Sequence, residues 1–359
     1  MKTKVNGKKT GDKNRAVNTS KNQLIGSGIL LLTAFIWGMA FTAQSSSMDY
    51  IGPFTMNCTR SILGGLALLP LIIWQRVKAK GGAAAAERTS EENCEGAETT
   101  GVSETAGVSE KSAEVSGEAA GVSGKSVGPW NETMRATVIG GICCGAILAV
   151  ASSLQQIGIC YTSVGKAGFI TTLYIVMVPL MGVFWHRKIG GKVWFSVGLA
   201  AVGMYLLCMN ESFTINPGDA YVFCCAIAFT GHILVIDHFS PKADCVVMSC
   251  IQFFTCALLC GAAMFIFEEP AWENIFAAKW AILYAGVLSS GAGYTLQIIG
   301  QKHTDPVVAS LIMSLESVFA ALGGWMILGQ TLSGRELLGC AVVFVGIMLV
   351  QLPDKKRAA

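Results

Sequence analysis

The chain has 359 residues, 52% of them hydrophobic and only 14% charged, with a net charge of +3. Soluble domains carry about 25% charged residues, so this balance excludes an ordinary soluble fold and points to a polytopic membrane protein. Nothing in it calls for a nucleic-acid partner.

Residues 1–22 hold seven Lys or Arg against one Asp and read as a disordered basic terminus. The first apolar run follows, and its 24 uncharged residues exceed a signal-peptide core, so it reads as a spanning helix over 24–46. A second span over 54–74 is interrupted only by Arg60. From 77 to 133 the composition turns to Ala, Gly, Ser, Thr and Glu, with GVSE, GVSE, EVSG and GVSG recurring. Such a stretch cannot bury a core and reads as a flexible cytoplasmic loop. Apolar runs then predict helices at 137–159, 167–185, 193–209, 219–236, 246–267, 280–300, 307–328 and 337–352. A run of 22 residues such as 307–328 crosses a hydrocarbon core of about 30 Å at about 1.5 Å per residue. The expected fold is therefore an all-α integral membrane protein of ten transmembrane helices, ending in a basic tail at 354–359.

Charge placement predicts orientation. With the N-terminus cytoplasmic, 22 Lys and Arg fall inside and three outside, namely Lys166, Lys279 and Arg335. That asymmetry, with an even number of spans, puts both termini in the cytoplasm. The chain also repeats itself. Leu154-Gln155, Gly158 and Thr162 match Leu296-Gln297, Gly300 and Thr304 at an offset of 142, while Trp37 and Arg60 match Phe229 and Gln252 at an offset of 192. The 50-residue difference is close to the length of the low-complexity stretch, which therefore reads as an insertion at 77–133 in the first copy. The copies span 23–76 with 134–210, and 211–353. Five helices each is an odd number, so the second copy crosses in the opposite sense, as two inverted five-helix repeats (5+5) around a midplane site.

Three ionisable Asp, Glu, Lys, Arg or His residues lie in the interior of the expected spans: Arg60, His232 and Glu316. Arg60 is about 9 Å deep from one side and Glu316 about 14 Å from the other. A charge at such depth costs several kcal/mol unless it meets a partner, a cavity or a proton. A buried Arg60–Glu316 ion pair is one reading. The other makes Glu316 a proton or substrate-ammonium site and Arg60 an anchor for a substrate carboxylate. His232 reads first as a polar helix contact. A second tier comprises Gln155 and Gln297 at matched places, Gln252 matching Arg60, and Thr171, Thr172 and Tyr174, with Tyr174 at the repeat equivalent of Glu316. Amides and hydroxyls often only join helices, but their repetition favours a shared cavity, for which Trp37 is a candidate wall.

The run LLLTAFIWGMAF, followed by Gly52-Pro53 and Arg60, resembles the opening of the EamA family of the drug/metabolite transporter superfamily. AGFITTLYIVMVPLMGVFW is similar to that family's fourth helix. GDAYVFCCAIAFTGHILVIDHFSPKAD with Gln252 resembles the start of its second repeat, and SLESVFAALGGWMILGQTLSGRELLGCAVVFVGIMLV its last two helices. The likeness covers about 24–74 and 134–352. It departs at Ser317, where a proline commonly follows the glutamate, and at Gln330, where an acidic residue is usual; without the proline, a kink in the ninth helix loses its ordinary cause. The resemblance implies a secondary carrier of the cytoplasmic membrane that exports a small metabolite, amino acid or drug, with protons as candidate coupling ions. The bilayer and a small-molecule substrate are then its partners, and the oligomeric state stays open, a homodimer among the options.

Other classes fit less well. The 13 cysteines form no CxxC or Cys/His metal spacing, so neither metal nor cofactor is expected. There is no GxxxxGK[ST] for ATP-driven transport and no HExxH, and an enzyme is not expected. A non-transporting sensor or scaffold on a transporter fold remains the alternative.

Overall fold

A computed structural model describes residues 22–40, 44, 47–98, 132–162, 164–184, 189–208, 216–328 and 333–352. The basic terminus through residue 21, the tail at 354–359 and the low-complexity residues 99–131 lie outside these. Every regular element among the described residues is helical. Eight helices are long and apolar enough to cross a membrane, and two shorter apolar ones, Gly191–Leu207 and Pro306–Leu322, correspond to the fifth and ninth expected spans.

In chain order the elements are α1 (Asn22–Ala40), α2 (Pro53–Glu98), α3 (Glu132–Ile159), α4 (Val164–Thr171), α5 (Tyr174–Phe184) and α6 (Gly191–Cys208). There follow α7 (Pro217–Phe239), α8 (Cys245–Phe267), α9 (Trp272–Ala277) and α10 (Lys279–Leu283). A π-helical segment, Tyr284–Tyr294, leads into α11 (Thr295–Gln301), and α12 (Pro306–Met313), α13 (Leu315–Leu328) and α14 (Gly334–Gln351) close the chain.

The chain divides into two compact units, residues 1–69 with 132–359, and residues 70–131. In the second, residues 70–98 are helical, the continuation of α2. This corrects the expectation of a flexible loop from residue 77. The four alanines at 83–86 and the Glu and Arg around them are strong helix formers, and a helix can be polar on all sides without a core.

Helix starts in the first unit follow capping chemistry. Asp244 accepts from the backbone N–H groups of Val246 and Val247 at the head of α8, and Asp305, ahead of Pro306, accepts from that of Val307 at the head of α12. Ser333 and Glu336 form a reciprocal capping box on α14. The first turn of α2 has no acid of its own. Glu268, just past the end of α8, supplies it, accepting from Phe54 N and Thr55 N at 2.8 Å and from Thr55 Oγ1 at 2.6 Å. A carboxylate on a helix N-terminus gains charge-assisted bonds, so this contact ties the end of α8 to the start of α2.

Two expected straight spans are broken. The fourth breaks at Thr172-Leu173 between α4 and α5, and the ninth at Ser314 between α12 and α13. Hydroxyls bonding back to the backbone accompany both breaks. Thr172 Oγ1 donates to Gly168 O at 3.0 Å and Phe169 O at 2.9 Å, and Ser314 Oγ donates to Leu311 O at 2.7 Å. The ninth span thus bends without the missing proline. Thr172 and Ser314 stand 142 positions apart, the offset that also separates Gln155 from Gln297.

Helices approach closely where glycine removes the side chain. A Cβ on Gly203 would come within 2.6 Å of Val343 N, and one on Gly339 within 2.6 Å of Leu207 N, so α6 and α14 cross almost backbone to backbone. Gly141 and Gly145 bring α3 onto α8 in the same way, the latter 2.5 Å from Gln252 O. Lipid offers no hydrophobic gain for helix association, so such close packing carries it.

Candidate functional site: a cavity between Arg60 and Glu316

Glu316 is buried two positions after the break in the ninth span at Ser314. The equivalent break in the fourth span leaves Tyr174 buried in the same relation to Thr172. Both side chains line one cavity of about 40 Å³, together with Trp37, Arg60, Gln155, Thr171 and Gln297. Those seven were singled out from sequence. Of the other three, Thr172 bonds back to its own helix, and His232 and Gln252 stand one layer behind. They pair with each other at 2.9 Å between Nε2 and Oε1, and the imidazole packs edge-on against the cavity residue Tyr294 at 5.9 Å. His232 thus makes a polar contact between α7 and α8.

Gln44, Phe229, Ile233, Ser289, Tyr294 and Met313, none of them a candidate from the sequence, complete the lining. Gln44 matters most among them. Its Oε1 accepts from the Arg60 guanidinium at 2.9 Å. Arg60 and Glu316 form no ion pair, and no side-chain hydrogen bond of Glu316 occurs among the described residues. The arginine is thus held by a neutral amide, and the carboxylate faces the cavity alone. Gln44 lies where a span ends and polar residues are ordinary, so nothing in the sequence marked it. Tyr294 carried a weak signal as a tyrosine in the middle of an apolar run.

The π-helical segment shapes one wall. Widening the helix exposes carbonyls to new partners, and π segments recur at functional sites. Here Trp37 Nε1 donates to Ser289 O at 3.1 Å, and the indole lies 4.6 Å from the Tyr294 ring at a tilt of 54°. Gly293 makes room for it, because a Cβ there would sit 2.6 Å from Trp37 Nε1. Across the cavity Gln155 Nε2 donates to Thr171 Oγ1 at 3.4 Å, and the hydroxyl of Tyr174 has no protein partner. One guanidinium, one carboxylate, several amides and hydroxyls and an aromatic face thus surround a space large enough for a few waters. Ligand pockets usually span about 300–1,000 Å³, so admitting a metabolite requires the walls to part. Among the described residues no cluster of His, Cys, Asp or Glu could hold a metal ion.

Comparison with known proteins bears on this arrangement. The model of the EamA-like transporter family matches residues 24–86 and 216–352, more than half of the chain. An uncharacterized transporter of Archaeoglobus fulgidus is 28% identical over 218 residues, 58% of this chain and 68% of that protein. A WAT1-related protein of Arabidopsis thaliana is 24% identical over 149 residues, 39% of this chain and 38% of its own length. A crystal structure with 15% sequence identity superposes with a TM-score of 0.65, covering 93% of this chain and 99% of the other, which is likeness of fold. With its apolar helices and polar central cavity, the chain belongs to the EamA-like transporter family of the drug/metabolite transporter superfamily, and is a multi-pass membrane transporter.

Proposed function

We propose that the chain is a secondary carrier of the cytoplasmic membrane, exporting a small metabolite, amino acid or drug by alternating access. The observation that carries this reading is the separation of Arg60 from Glu316 across one cavity, with Gln44 rather than the carboxylate holding the guanidinium. A structural ion pair would have joined them. Left apart, they offer an anion site and a cation site to a solute, with Trp37 and Tyr294 as an apolar wall. Glu316 then takes up a proton or a substrate ammonium, and Arg60 a substrate carboxylate. The test is a thermal-shift screen of metabolites on the purified chain, followed by counterflow of each stabilising compound in proteoliposomes. A saturable flux of at least one compound is expected. A folded chain that moves none would favour the sensor or scaffold.

The same proposal includes ten spans in two inverted repeats, with both termini inside. The charge asymmetry supports the orientation, and the helix breaks 142 positions apart support the repeat. In a cysteine-free background, Gly52→Cys and Asn216→Cys should react with an impermeant maleimide added outside intact cells, and Gly190→Cys should not. The reverse pattern overturns the orientation.

A further inference from the structure

Gln297, Gln301 and Thr304 follow one another at four and three residues along α11 and the turn that continues it, the spacing of a single helix face. All three are buried, at 2%, 3% and 4% exposure. Gln297 Oε1, Gln301 Oε1 and Thr304 Oγ1 each lack a protein hydrogen-bond partner. Buried acceptors left in that condition are costly, and sites that carry them normally admit water. The rest of the helix is unlike this face. Ile298 is fully buried in an apolar cluster with Ile236 and Met248, and Gly300 packs on Leu30 of α1.

The stripe begins and ends in open space. Gln297 lines the central cavity beside Glu316. Gln301 and Thr304 line a second cavity of about 370 Å³ at the end of the bundle, among Asn22, Asp237, Lys302 and Asp305. Between the two, Gln301 Nε2 donates to the carbonyl of Ile233, itself a residue of the central cavity. We propose that Gln297, Gln301 and Thr304 form the aqueous route between the Glu316 cavity and the face carrying Asp237 and Asp305. The cover is α1. A Cβ on Gly26 would fall 2.4 Å from Thr304 Oγ1, so α1 lies on the outer end of the stripe, and the route opens there when α1 and that turn part.

The route takes its purpose from the carrier reading, but its test does not need transport. In a cysteine-free full-length chain, Gln297→Cys, Gln301→Cys, Thr304→Cys and the off-stripe control Ile298→Cys are exposed to an impermeant anionic methanethiosulfonate. Labelling is followed in right-side-out and inside-out vesicles. The three stripe positions should react from one and the same face, at least tenfold faster than Ile298→Cys, with Thr304→Cys fastest and Gln297→Cys slowest. Adding Gln301→Met as an apolar plug should slow Gln297→Cys at least tenfold and leave Thr304→Cys within twofold. Variants are scored only where they elute as monodisperse protein, and should one stripe cysteine fail that criterion, the plug read at the remaining positions still decides. Stripe cysteines no faster than Ile298→Cys, or reacting from the opposite face, overturn the route. Labelling without flux of any substrate upholds the route and counts against the carrier. Flux without labelling does the reverse.

Discussion

Glu316→Gln leaves the chain folded and lowers substrate flux at least tenfold, and the dependence of flux on pH flattens. The amide is nearly isosteric with a protonated carboxyl, so the packing of this turn against α1 is retained. What it loses is the capacity to carry a proton or to oppose an ammonium. Because Arg60 is bonded to Gln44 at 2.9 Å, the substitution strands no guanidinium. The melting temperature in detergent should therefore move by no more than a change of about 1 kcal/mol would produce. Were the two charges a structural pair, breaking it would cost about 3–5 kcal/mol, and Arg60→Met combined with Glu316→Gln would restore much of the loss. The double variant should restore nothing. Native flux at every pH in the Gln variant would remove Glu316 from the transport path.

Gly38→Ala destabilises the protein by about 1–3 kcal/mol and also impairs flux, whereas Gly28→Ala changes neither appreciably. The Cβ added at Gly38 would lie 2.5 Å from the carbonyl oxygen of Glu316, 2.7 Å from Phe319 Cβ and 2.9 Å from Ala320 N. Two of those atoms are backbone, and the third is fixed to it, so no rotamer change relieves the overlap. Either α1 lifts or the turn carrying Glu316 shifts away from Arg60. At Gly28 an added Cβ meets nothing within 4 Å, so no overlap opposes the substitution. Equal melting temperatures for the two variants would show that α1 does not press on α13 at this point.

The apolar helices were legible because crossing a bilayer is a local demand. Each needs a certain length of apolar sequence whose backbone bonds are satisfied within the segment, and both properties can be read from neighbouring residues. Rare charges within such runs stand out for the same reason, which is how Arg60, His232 and Glu316 came forward. Where those side chains point depends instead on contacts between helices far apart in the chain. Gln44 became the partner of Arg60, and Gln252 that of His232, through packing across spans. The helix is interrupted at Ser314, whose hydroxyl bonds back to Leu311 O, in a place where serine alone is compatible with an unbroken span. The π-helical turns at Tyr284–Tyr294 leave no periodic mark in a run of small and apolar residues. The helix through Glu98 is hidden for the opposite reason, because residues 77–98 have no apolar face to bury and their helix rests on local propensity alone. By itself the sequence determined the membrane class, the apolar segments and which side chains pay a penalty for burial. Only the tertiary structure decided that seven of them meet in one cavity and that the two charges face it unpaired, because a side chain's surroundings in lipid are set by which helices cross and how closely.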